Sequence, residues 1–266
     1  MPFTISHAAA AYPFRRTRLV LSALIIGTFA PDLEFFVRFA PKGPFGHTER
    51  GVFLFALPAA FMMFWLYEEV VKQPLAALLP LSFRRRLSAE PYHISLGRPR
   101  QLALVVASLL IGVATHIVWD SFTHERSWPW HAPPVLLHTM TLPWLGPVHY
   151  YRLLQYFSSV FGLLFVFFWI WQWRRTAPLQ PRWAGSSVPA SQVRLARVWV
   201  PVTAVGLAFL RAFFGTGHHV ESPRGFEYWT AEFVVTLISI VWLELMIWGF
   251  TLPHPKLAPA APGSIK

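Results

Sequence analysis

Long apolar runs alternate with short polar blocks along most of the chain. Five runs, residues 51–67, 101–119, 153–173, 198–214 and 233–251, approach the ~20 residues that carry a helix across ~30 Å of hydrocarbon. A sixth, residues 19–30, reaches only ~18 Å and is too short to cross unaided. Extending it would place Asp32 and Glu34 inside the membrane. It is similar in length to a signal-peptide core, but Pro31 follows Ala30 and no small-residue cleavage site is present, so no cleavage is expected. The pattern predicts an all-α fold: a polytopic membrane helix bundle of five spans plus a short sixth hydrophobic segment. Residues 1–252 read as a single membrane-embedded helical domain, and residues 253–266 as a Pro/Ala-rich disordered tail.

Composition agrees with the pattern. Hydrophobic residues make up 55% of the 266 and charged residues 13%, against about 25% charged in an average soluble domain. Too few charges remain to cover a soluble fold of this size, which argues against a soluble enzyme. Cysteine is absent, which excludes disulfides and thiolate metal sites. The net charge of +11 sits in short blocks between apolar runs, as in loops facing an anionic membrane surface rather than a nucleic-acid-binding face. Arg84, Arg85 and Arg86 lie with Lys72, Arg98 and Arg100 in one loop; Arg174, Arg175, Arg182, Arg194 and Arg197 lie in another. The positive-inside rule puts both loops in the cytoplasm and residues 32–50, 120–152 and 215–232 outside. Trp128, Trp130 and Trp144 read as interfacial anchors.

Although assigned from Arg and Lys alone, this topology sorts the histidines. Of 11, His47, His116, His124, His131, His138, His149, His218 and His219 fall in external segments or at the outer end of a span. The sharpest local feature runs from Thr115 to His124. On a helix, His116 and Asp120 share a face one turn apart, so an imidazole and a carboxylate can chelate one divalent ion, zinc or manganese. The plainer alternative is an imidazole satisfied by a neighbouring helix beside an interfacial acid. His124 is in phase but ~12 Å along the axis from His116 if the helix continues, too far to share an ion with it. Asp32, after the helix-breaking Pro31, and His47, in Gly46-His47-Thr48-Glu49-Arg50, lie at the membrane edge where Asp120 emerges. Together the four supply two carboxylates and two imidazoles. His218 and His219 with Glu221 could supplement a metal site, but adjacent histidines in a turn read more simply as solvated. Within the membrane, Arg211 and Glu244 are expected to pair across neighbouring antiparallel helices.

The opening Met1-Pro2-Phe3-Thr4-Ile5-Ser6-His7-Ala8-Ala9-Ala10 resembles that of an uncharacterised family of bacterial integral membrane proteins. The resemblance continues through Ala30-Pro31-Asp32-Leu33, Gly46-His47 and the segment from His116 to His124, covering most of the first half. The order of these pieces is also similar to that of bacterial inner-membrane metal-dependent hydrolases and, more remotely, zinc-dependent phospholipase C. The comparison implies a bacterial inner-membrane location. It implies His7, Asp32, His47, His116 and Asp120 as metal ligands, with Asp120 as a bridging carboxylate. Two departures stand out: the second acid of the turn is Glu34 rather than Asp, and the Thr-His pattern is replaced by Gly46-His47-Thr48-Glu49 with one histidine.

The leading expectation is a membrane-embedded protein with a divalent-metal site at its external face, acting as a hydrolase of phosphoester or lipid substrates. Glu34, Glu49 or His124 would be the base and Arg50 a phosphate partner. The competing expectation is a non-catalytic transporter or scaffold whose polar residues line a cavity. The bilayer is the expected partner; no nucleic acid is expected. His7 joins the site only if residues 19–30 dip in and return or are shielded by other helices, whereas Arg15, Arg16 and Arg18 argue for a cytoplasmic start.

Overall fold

The computed structural model describes residues 3–88, 92, 98–125, 128–129, 131–143, 146–185, 187–216 and 223–252. His93, Trp130, Trp144, His218, His219, Glu221 and the tail 253–266 lie outside them. The described residues are mostly helical: α1 (Leu21–Phe29), α2 (Leu33–Arg38), α3 (Glu49–Leu78), α4 (Pro99–Thr123), α5 (Tyr150–Thr176), α6 (Ala190–Thr216) and α7 (Pro223–Thr251). The last five are long and apolar enough to cross a membrane. One small antiparallel hairpin, β1 (Thr139–Leu142) with β2 (Gly146–His149), departs from an all-helical chain.

All five long helices extend beyond the apolar windows that announce them. The window marks only the stretch matched to hydrocarbon; the outer turns carry charge, as Glu68, Lys72, Arg174 and Arg175 do. The helices alternate in direction. His47 precedes α3 and Asp120 lies in the last turn of α4 at one end of the bundle, where Arg211 of α6 also meets Glu232 of α7. At the other end Gln73 accepts from the Gly185 amide and Trp248 donates to Gln192. The first is the site end and the second the basic end.

The amino-terminal segment is a re-entrant hairpin. An eleven-residue 3-10 helix, Thr4–Phe14, descends ~22 Å at ~2.0 Å per residue. It follows α5: the Phe3 amide donates to Ser159, Ser6 packs on Gly162, and Tyr12 stands edge-on to Phe165 and Trp169. The chain turns through Arg15, Arg16 and Arg18 at the basic end, where Arg18 shares a recess with Lys72 and Ser88. Helix α1 then returns parallel to α4. The Val20 amide donates to Ser108 at 2.9 Å, and Thr28 meets His116 with the same sequence offset. Gly27 and Gly112 let these backbones touch: a Cβ on Gly112 would lie 2.4 Å from the Leu24 carbonyl oxygen, and one on Gly27 2.4 Å from that of Leu109. Small residues permit such close approach between membrane helices.

The hairpin resolves the sequence conflict over His7. Residues 19–30 do not dip in and return by themselves: Thr4–Phe14 forms the entering limb and α1 the returning one, so His7 lies at the site end while the three arginines lie with the other basic loops. Its exit through α2 is sealed by α7, whose Ser239 and Thr236 hydroxyls donate to the Phe36 and Phe39 carbonyls. Helix-end carbonyls inside a membrane need such partners.

One pairing is corrected. Arg211 meets Glu232, not Glu244, with Nη1 2.8 Å from Oε1. Glu244 instead accepts from Thr203. Thr203 lies eight residues before Arg211 on α6, so the hairpin register leaves Arg211 ~12 Å along the axis from Glu244.

Candidate metal centre

Four segments bring the cluster together. The 3-10 helix carries His7, the turn between α1 and α2 carries Asp32, the loop before α3 carries His47, and the last turns of α4 carry His116 and Asp120. The Asp32 turn and the His47 loop fit closely: a Cβ on Gly46 would lie 2.2 Å from the Pro31 carbonyl oxygen, so only glycine allows this approach. Glu34 fastens the same loop. One of its oxygens accepts from the Phe45 and Gly46 amides and the other binds Arg38.

The donor atoms converge. His47 Nε2 lies 3.2 Å from His116 Nε2, 3.3 Å from Asp32 Oδ1 and 3.4 Å from Asp120 Oδ2. His116 Nε2 lies 3.3 Å from Asp120 Oδ2 and 3.7 Å from Asp32 Oδ1. Donors bound tetrahedrally at 2.0–2.2 Å stand about 3.3–3.6 Å apart, so these five separations suit one small divalent ion. His7 approaches from the side, its ring stacked on His116 at 3.9 Å and its Nε2 3.6 Å from the other Asp120 oxygen.

The chemistry of the donors fits as well. His116 Nδ1 is 2.7 Å from the Thr28 carbonyl. A carbonyl only accepts, so Nδ1 holds the proton and Nε2 presents its lone pair to the cluster, as a metal-bound imidazole requires. Thr4 donates to Asp32 Oδ2 at 2.6 Å and leaves Oδ1 facing inward. His7 Nε2, Asp32 Oδ1 and Asp120 Oδ2 are buried and form no hydrogen bond within the protein. Three buried orphans at one point are costly unless something satisfies them. Burial disfavours the His47 imidazolium, yet the Asp120 and Asp32 carboxylates beside it raise its pKa to about 9.

The three base candidates separate. Helix α4 ends at Thr123, and His124 turns back in an extended conformation so that Nδ1 lies 3.0 Å from the Asp120 carbonyl. It stands at the rim of the cluster with about a quarter of its side chain exposed. Glu34 departs from the expected role because both its oxygens are committed to Arg38 and the His47 loop. Glu49 departs too: it is exposed on the first turn of α3, and among the described residues no hydrogen bond or ion pair joins it to the cluster. His138 and His149 stack on Tyr150 and Tyr151 near the β hairpin, apart from the centre. Sequence reasoning missed Thr4 and the Thr28 carbonyl. Thr4 stood in the recognised opening motif; a backbone carbonyl leaves no mark in sequence.

Residues 1–250 match the family described as Domain of unknown function (DUF4184), and the chain belongs to it. No curated protein and no solved structure matches the chain.

Proposed function

We propose that this DUF4184 family member is a multi-pass membrane protein of the bacterial inner membrane that holds a divalent metal ion at the external end of its bundle and hydrolyses a phosphoester of a lipid or lipid-like substrate there. The carrying observation is the convergence of Asp32, His47, His116 and Asp120 at ligand spacing with inward-facing orphan atoms. Zinc or manganese suits a set of imidazoles and carboxylates. When bound, such an ion supplies Lewis acidity, lowering the pKa of water towards neutrality and offsetting charge on phosphate oxygens.

The chain's own residues divide the remaining work. Thr28 and Thr4 fix the orientation of His116 and Asp32. Glu34 holds the loop of His47. His124, at the rim, is placed to take a proton from an attacking water, and its position against the Asp120 carbonyl keeps the ring beside the cluster. Arg50 is exposed on the loop side of the site and supplies a cation for a substrate phosphate.

Metal analysis of the purified protein and of Asp120→Ala tests the first half. About one zinc or manganese per wild-type chain and little in the variant is expected; metal-free wild type rejects the reading. Release of phosphate or headgroup from short-chain phospholipids, lost in Asp120→Ala and reduced in His124→Ala, tests the second half. A metal-loaded protein inert towards phosphoesters but able to move a solute across vesicles would make it a transporter.

A further inference from the structure

The basic end carries a second organised surface, far from the histidine cluster. The loop after α3 and the loop before α6 are zipped together. The Gln180 amide donates to the Arg85 carbonyl at 2.8 Å, the Ala184 amide donates to the Leu87 carbonyl at 2.9 Å, and Ser88 bridges to Trp183. This cap holds its arginines in place. The Arg84 guanidinium lies 4.5 Å over the Trp183 ring and donates to the Ala77 carbonyl, yet its Nε is buried without a partner. Arg86 Nε is buried and unpartnered too. Arg174 reaches over Phe83 from the last turn of α5. Arg197, exposed on α6, follows Ala196, which packs in one buried cluster with Ala77, the residue whose carbonyl Arg84 binds, so the two arginines stand at the same end of that cluster. Among the described residues neither loop supplies a carboxylate, and neither Arg84 nor Arg197 forms an ion pair.

We propose that this arginine cap binds the phosphate of an anionic phospholipid in the leaflet it faces, with Arg84 and Arg197 on either side of the headgroup. Two like charges on neighbouring elements are unfavourable alone and become favourable around a shared anion. The depth matches. Helix α6 has 27 residues, ~40 Å against ~30 Å of hydrocarbon, so its first two turns, with Arg194 and Arg197, project to the headgroup level. Trp183, Trp171 and Phe83 beside the cations are of the kind that settles at that interface. Arginine also presents the planar fork that grips a phosphate.

The test is thermal unfolding of delipidated protein in neutral detergent with added phosphatidylglycerol, phosphatidylcholine or inorganic phosphate. Phosphatidylglycerol should raise Tm by several degrees over phosphatidylcholine. Arg84→Gln and Arg197→Gln should each remove at least half of that gain, whereas Arg152→Gln, at the site end, should keep it. Arg197 is exposed, so its variant keeps the test decisive if Arg84→Gln fails to fold. Equal effects of the two lipids, or a gain unchanged in the Arg197 variant, would overturn the proposal. A gain reproduced by inorganic phosphate would overturn it in favour of a soluble ligand.

Discussion

His116 of α4 and Thr28 of α1 meet across two parallel helices, imidazole Nδ1 to carbonyl oxygen at 2.7 Å. This one contact fixes the tautomer of a buried histidine and ties the amino-terminal hairpin to the centre it completes. The cluster therefore depends on helix packing as much as on its donor atoms.

His7 is the donor that only the hairpin can supply. His7→Ala should leave the fold in place, since the 3-10 helix keeps its contacts with α5, but should weaken zinc retention at least tenfold in a chelator competition. Retention equal to wild type would remove His7 from the centre.

The His47 pKa of about 9 sets a pH dependence. At pH 7 the metal-free site holds a proton there, and metal must displace it. Metal affinity should thus rise about tenfold per pH unit between pH 7 and 9, with release of one proton visible in buffers of different ionisation enthalpy. The metal-free protein should behave oppositely. A pKa raised on folding stabilises fully below the unfolded value of about 6.5 and is lost as pH climbs through about 9. Its Tm should fall across that window, and a flat profile in both states would remove His47 from the coupled cluster.

Gly112 tests the helix contact. Gly112→Ala drives a methyl into the Leu24 carbonyl, and overpacking of this kind costs about 1–3 kcal/mol. Gly206→Ala is the matched control, since its Cβ meets nothing within 4 Å, and higher helix propensity should leave it neutral or slightly stabilised. Equal Tm losses in both would mean that α1 and α4 do not pack as described.

Arg211 and Glu232 should be coupled by about 0.5–1 kcal/mol in a double-mutant cycle, the scale of a partly exposed ion pair. Arg211 and Glu244 should be additive. Coupling in the second cycle alone would reverse the helix register.

Sidedness is checked by labelling. Single cysteines replacing Arg85 and Arg182 should react with an impermeant maleimide only after the membrane is opened from the cytoplasmic side, and one replacing His138 should react in intact cells.

Much of this was legible in the chain. The five spans follow from hydropathy, because the bilayer imposes one length on every crossing helix. His116 and Asp120 follow from helical spacing, which is local. The convergence of Asp32 and His47 with them was suggested by sidedness, but sidedness gives depth and not position around the bundle. The Thr28 carbonyl and the role of Glu34 were hidden because each works through backbone groups that carry no sequence signature, and Thr4 because its contact with Asp32 joins segments 28 positions apart. The error over Glu244 has the same root. Two residues of complementary charge and similar depth look like partners, and only helix register decides.

The parallel seam between α1 and α4 joins segments 88 positions apart, and this separation imposes an order on biogenesis. At about 5–20 residues per second, roughly 4–18 s pass between the synthesis of α1 and that of its partner. During that interval the hairpin lacks the groove that receives Gly27 and the serine that caps Val20. It must be sheltered by the insertion machinery or by lipid until α4 arrives, so the last-made helices are not the only ones to assemble late.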